Sequence, residues 1–145
     1  MLNKQQRKQG YFFEHLDDII SLAVHPNKQY IATGEIGPHP LIAVWDSESF
    51  ECLSRFSFPL VKGISNLCFS EDGKLLCASS SDDDHSIAVF EWEKCEIVES
   101  KKEKKSKDKI KGLIATGKGT RSVILSLCFN KNNDCVVASC IKVFM

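Results

Sequence analysis

The sequence predicts an all-β fold made of repeated antiparallel sheets, and three observations carry that prediction. A stretch from Asp17 to Ser47, DDIISLAVHPNKQYIATGEIGPHPLIAVWDS, returns one unit later as GISNLCFSEDGKLLCASSSDDDHSIAVFEW, Gly63 to Trp92, without a gap. The offset is 45 residues throughout, setting Leu22 on Leu67, His25 on Ser70, Ile31 on Leu76 and Trp45 on Phe90. Inside each copy, short apolar runs alternate with turn clusters such as HPNKQ and SEDGK, which is the pattern of strands and hairpins. A third copy, VILSLCFNKNNDCVVASCIKVF from Val123 to Phe144, sets Leu127 on Leu67 at an offset of 60 and then loses six residues before its aromatic.

A period of about 40 to 45 residues, with several short strands and an aromatic-acidic dipeptide near the third, marks a WD-type β-propeller blade. In the first copy that dipeptide is Trp45-Asp46. The expected organisation is a basic lead-in (1–14), two complete blades (15–100), a lysine-rich and glycine-containing linker (101–120) and a truncated third blade (121–145), the whole a piece of a larger propeller. Strands are expected at about 19–24, 29–34, 41–46 and 50–56 in the first blade, and at about 64–69, 74–79, 86–92 and 95–100 in the second. Glu71-Asp72-Gly73-Lys74 is the best-defined hairpin, because Asp-Gly tolerates positive φ. Trp45 is expected to be buried against the neighbouring blade. Because a blade covers its faces with two neighbours, so short a run exposes apolar faces at both ends and is expected to associate, aggregate or require the rest of a longer chain.

Blade geometry also places a hydrogen-bonded network. His15 stands seven residues before Leu22, where WD repeats often carry a His bonded towards a Ser or Thr, an Asp and the blade's Trp. Thr33 and Trp45 are the expected partners, but the position six before the Trp, where an Asp is usual, is His39. In the second blade Asp84 stands six before Phe90 and Ser79 is available, while the His position is Leu60. Each blade thus holds part of a structural network, weaker than a complete one.

The segments DDIISLAVHP, IATGEIGPHPLIAVWDS, FSEDGKLL and DDDHSIAVFEWEK together resemble the first propeller of the echinoderm microtubule-associated protein-like family, over roughly residues 14 to 95. That resemblance implies a non-enzymatic interaction protein of the cytoplasm and cytoskeleton, with tubulin or microtubules as partner. A general WD-repeat scaffold for other proteins is the alternative.

Composition sets bounds on these readings. The chain has 145 residues, is 43% apolar and 26% charged, and balances 19 Lys and Arg against 19 Asp and Glu, so only local clusters of charge predict a partner. Its opening, MLNKQQRKQG, has no apolar segment behind its basic residues, and no run of 18 apolar residues occurs, so neither a secretory leader nor a membrane span is expected. Seven cysteines without a CxxC pair read as small buried thiols, with Cys68 and Cys128 facing the core at equivalent positions; no metal site or cofactor is expected.

The local charge lies in ESKKEKKSKDKIKG. From 101 to 111, Lys101, Lys102, Lys104, Lys105, Lys107, Lys109 and Lys111 stand against Glu103 and Asp108, which reads as a solvated loop whose functional reading is attraction to an acidic surface such as the glutamate-rich tails of tubulin. Nucleic acid is disfavoured, since no aromatic residue interleaves with the lysines to stack on bases. GLIATGKGT, Gly112 to Thr120, falls one residue short of a phosphate-binding loop, with Gly119 in place of the Ser or Thr that holds magnesium, and reads as a glycine-containing linker. Ser81-Asp82-Asp83-Asp84-His85 lacks the alternate spacing of a calcium loop and reads as an acidic turn, with Asp84 bonded to the blade network. No nucleophile-base pair stands out, so no enzyme is expected.

Overall fold

The computed structural model describes residues 10–58, 62–96, 110–119, 121–133 and 136–140. Among these, β1 (Ile19–Val24), β2 (Tyr30–Glu35), β3 (Leu41–Asp46) and β4 (Cys52–Ser57) form one antiparallel sheet in chain order. A second sheet repeats the order with β5 (Ile64–Phe69), β6 (Leu75–Ser80), β7 (Ile87–Glu91) and β8 (Leu113–Gly117). The pair β9 (Ile124–Phe129) and β10 (Val136–Cys140) begins a third. These are β-propeller blades, two of four strands and one of two among the described residues.

The other expected strands overlap β1 to β7 in order; of the one expected at 95–100, Cys95 and Glu96 lie outside any strand and the rest lies outside the described residues. The strand that pairs with β7 is β8, from Ile87↔Gly117 to Phe90↔Leu113, within the stretch expected as a linker. Two local features take the chain out of the sheet after Glu91. A register shift falls between Val89 and Phe90, and Trp92–Lys94 then forms a single 3-10 turn closed by Cys95 N–H donating to Trp92 C=O. The indole of Trp92, placed by the sequence pattern at the end of a strand, turns inward instead. It is buried and donates to the Gly73 carbonyl at 2.7 Å.

Strand alternation decides where the core sits. Ala32, Ile42, Val44 and Phe56 line one face of the first blade and meet Ile64, Leu67, Leu76, Ala78 and Phe90 of the second. Phe56 and Phe90 are fully buried with centroids 4.8 Å apart, and each contributes about 1.5–3 kcal/mol by burial alone. Gly34 is required there: a Cβ on it would lie 2.6 Å from Ile64 Cβ, so only glycine lets the two blades approach. A smaller cluster of Cys77, Ile124 and Leu127, joined by Cys68, Val89 and Phe129, fills the gap between the second and third sheets. Cys68 is half-buried in it, whereas Cys128 is exposed, because the equivalent face of β9 points away from the second blade.

At one end of the sheets, His25 Nε2 also donates to the Gly73 carbonyl, at 3.0 Å, while His25 Nδ1 accepts from Asn27 N–H. A turn of the first blade is thereby bonded to a turn of the second. Gly73 has a φ of 75°, and a side chain there would collide with the His25 ring.

Carboxylates organise the neighbouring turns. Asp46 accepts from Glu48 N–H at 2.8 Å, Ser49 N–H at 2.9 Å and Gln29 Nε2 at 2.7 Å; Asp72 accepts from the Ser70 hydroxyl at 2.6 Å and Lys74 N–H at 3.1 Å. The Ser49 and then the Glu48 N–H hold the Asp46 carboxyl below its ordinary range, and the Ser70 hydroxyl followed by Lys74 N–H does so for Asp72. Both groups therefore bind protons more weakly in the folded state. Their stabilisation is complete above the unfolded carboxylate pKa of about 3.9 and is lost as pH falls through the lower folded values. Circular dichroism during acid titration should show stability declining below about pH 4, with a shallower decline in Asp46→Asn. An identical acid profile for that variant would remove Asp46 from the account.

Candidate functional site

The face of the first blade turned away from the second carries a chain of hydrogen bonds. Alternation places Thr33 and Glu35 of β2 there, with Ala43 and Trp45 of β3 opposite, and residues 10–16 of the lead-in cross over them. Trp45 Nε1 donates to Thr33 Oγ1 at 3.2 Å, Thr33 Oγ1 lies 2.7 Å from His15 Nε2, and His15 Nδ1 lies 2.8 Å from Glu35 Oε2. A carboxylate only accepts, so in the neutral imidazole Nδ1 carries the proton and Nε2 accepts from the Thr33 hydroxyl. Glu35 also accepts Leu16 N–H and Leu41 N–H, each at 3.0 Å. All four acidic and ring partners are thereby satisfied in one direction of donation.

Glu35 is the residue that sequence reasoning missed. The carboxylate was sought six residues before Trp45, where His39 stands; the first blade instead completes its network from the end of β2. Trp45 lies in β3 but does not face the neighbouring blade. It is half-buried on the opposite side, stacked between Phe12 at 4.9 Å and Phe50 at 6.1 Å. Arg55, paired with Glu14, adds an ionic tie between β4 and the lead-in.

Ser79 and Asp84 of the second blade are not brought together. Ser79 Oγ meets Ser65 Oγ at 2.9 Å and receives Asn66 Nδ2 at 3.0 Å, and the same amide donates to the Ile124 carbonyl at 2.9 Å, tying the second sheet to the third. Asp84 pairs with Lys118 at 2.7 Å on the surface. The turn carboxylate is Asp82, which accepts Ser86 N–H at 3.0 Å and the Ser80 and Ser86 hydroxyls. Consecutive aspartates look alike in a sequence pattern; the left-handed φ of 45° at His85 selects Asp82 for the inside of the turn.

Lys101, Lys102, Lys104, Lys105, Lys107 and Lys109 lie outside the described residues. Glu96 Oε1 and Lys111 Nζ, on either side of them in the sequence, are 2.6 Å apart and both exposed, Lys111 lying just before β8. Gly112 to Thr120, expected as a linker, contains β8. Among the described residues no three His, Cys, Asp or Glu side chains converge as metal ligands, and no helix is long and apolar enough to cross a membrane.

Antiparallel sheets repeated along the chain, with a His–Thr–Trp network on the blade face, define a WD-type propeller protein. The WD domain, G-beta repeat family model matches residues 6–46 and 50–91, more than half of the sequence, and the chain belongs to that family. It is similar to echinoderm microtubule-associated protein-like 4 of Xenopus tropicalis, 29% identical over 98% of this chain and 15% of the relative, and to that of Mus musculus, 30% identical over 98% and 14%. Echinoderm microtubule-associated protein-like 2 of Rattus norvegicus is 33% identical over 67% of this chain and 17% of its own length. The chain thus spans about a sixth or less of these relatives. The crystal structure of RRP9 WD40 repeats superimposes with a TM-score of 0.64 at 19% identity, covering 88% of this chain and 34% of that one, a likeness of fold.

Proposed function

We propose that the chain is a non-enzymatic WD-repeat interaction protein that binds microtubules at the cytoskeleton, with the lysines at 101, 102, 104, 105, 107 and 109 as its contact. The observation that carries this reading is the Glu96–Lys111 ion pair at the exposed outer edge of the second blade, which closes on a stretch, residues 97–110, of net charge +3. The names of the relatives, microtubule-associated protein-like 4 and 2, supply the partner. The network of His15, Thr33 and Trp45 has a structural part in this reading: every polar atom of it is engaged within the blade, leaving none for a substrate.

Attraction between exposed charges is screened over about 8 Å at physiological ionic strength, so the binding should fall steeply as salt rises. In microtubule co-sedimentation, changing Lys101, Lys102, Lys104 and Lys105 to Ser should weaken pelleting about tenfold or more at low salt and flatten the salt dependence. Equal, salt-insensitive pelleting of both proteins would sink the electrostatic mechanism. Absence of pelleting at any salt would sink the microtubule assignment.

A further inference from the structure

Two cysteines of the second blade face each other across a ladder. Cys68 of β5 and Cys77 of β6 are directly opposed in the register, and both pack into the cluster that Ile124 and Leu127 of the third sheet complete. Ser70 N–H donates to Leu75 C=O at the end of the same ladder, so the pair two positions back, Cys68 with Cys77, is again a hydrogen-bonded one. Such a pair sets its Cα atoms about 5.5 Å apart, inside the range of roughly 4.4–6.8 Å that a disulfide spans. The two side chains already meet, the Cys77 thiol being hydrogen-bonded to Cys68.

The fold itself does not require sulfur at these positions. The equivalent pair of the first blade, at an offset of 45, is Ala23↔Ala32, and that of the third sheet, at an offset of 60, is Cys128↔Val137. Elsewhere the ladders set Cys52 against Trp45 and Cys140 against Ile124. Among the described residues, then, thiol opposes thiol in the second blade alone.

We propose that Cys68 and Cys77 form a dithiol site that hydrogen peroxide converts to a cross-strand disulfide. Cys68 is the attacking sulfur, being half-buried where Cys77 is fully buried. The hydrogen bond from Cys77 also holds the Cys68 thiol below its ordinary range, and the same bond, with burial, pushes Cys77 up. The Cys68 thiolate attacks one peroxide oxygen and the O–O bond breaks. The hydroxide released takes the proton that Cys68 gave up, leaving a sulfenic acid and one water. The Cys77 sulfur then displaces hydroxide from the Cys68 sulfur, and that hydroxide leaves with the Cys77 proton as a second water. Two electrons pass from the thiols to one peroxide. Because Cys68 is only half-buried, thiol reductants reach the bond and reverse it.

The 145-residue chain, treated with a small molar excess of hydrogen peroxide, should lose two hydrogens in mass. Trypsin cuts between the two cysteines at Lys74, so an unreduced digest should contain peptides 63–74 and 75–94 joined, and dithiothreitol should separate them. Alanine at either position copies the first blade, so Cys68→Ala and Cys77→Ala should keep the wild-type circular dichroism. Cys77→Ala should accumulate sulfenic acid at Cys68, trapped by dimedone on peptide 63–74, whereas Cys68→Ala should leave peptide 75–94 unlabelled. Absence of the joined peptides, Cys68 joined to other cysteines as often as to Cys77, or dimedone on Cys77 in place of Cys68 would each overturn the proposal.

Discussion

Replacing Glu35 with Ala should destabilise the chain by about 3–5 kcal/mol, the cost of leaving three donors without their acceptor at about 1–3 kcal/mol each. The side chains of His15 and Glu35 are 5% and 2% exposed, so neither can turn to solvent. The substitution orphans His15 Nδ1 and the Leu16 and Leu41 N–H groups together. An unsatisfied buried donor costs about 1–3 kcal/mol, and Leu41 N–H lies at the start of a strand buried on both faces. Chemical denaturation measures the loss. A double-mutant cycle with His15→Ala should return a coupling of about 0.5–3 kcal/mol between the two side chains. Additive effects would mean that the lead-in is held by stacking on Trp45 and not by this network.

Phe90→Ala should be comparably severe, about 3–5 kcal/mol, while Trp45→Ala at the equivalent position should cost only about 2 kcal/mol. The difference follows from position in the array. Phe90 is fully buried between two blades, against Phe56 and Phe58, whereas Trp45 is half-buried under the lead-in alone. Equal denaturation midpoints for the two variants would mean that the lead-in covers its blade as well as a neighbouring sheet does.

Strands and their order were legible because apolar alternation and an offset of 45 residues survive in the sequence wherever a blade packs on a blade. The fourth strand of the second blade was not. A segment rich in lysine separates β7 from β8, so LIATG, cut off from its repeat, reads as part of a glycine linker. Glu35 was hidden by reliance on spacing from the tryptophan. A different signal was present: it is the acidic residue in YIATGE, two positions beyond Thr33, and alternation puts the two on one face. A charge ending an otherwise apolar strand has to find a partner. Asp84 failed for the opposite reason, since three adjacent aspartates satisfy the same spacing equally well and only the backbone path at His85 separates them.

The Gly73 carbonyl receives one N–H from His25 of the first blade and another from Trp92 of the second. The angle between consecutive blades is thus indexed to a main-chain oxygen, an acceptor that every amino acid possesses and no point mutation deletes. Side-chain replacement at this joint can weaken the grip on either side but leaves the reference point in place. Lengthening or shortening the Glu71–Lys74 turn moves the oxygen itself, so over evolution this end of the molecule should tolerate exchange of residues far better than insertion or deletion.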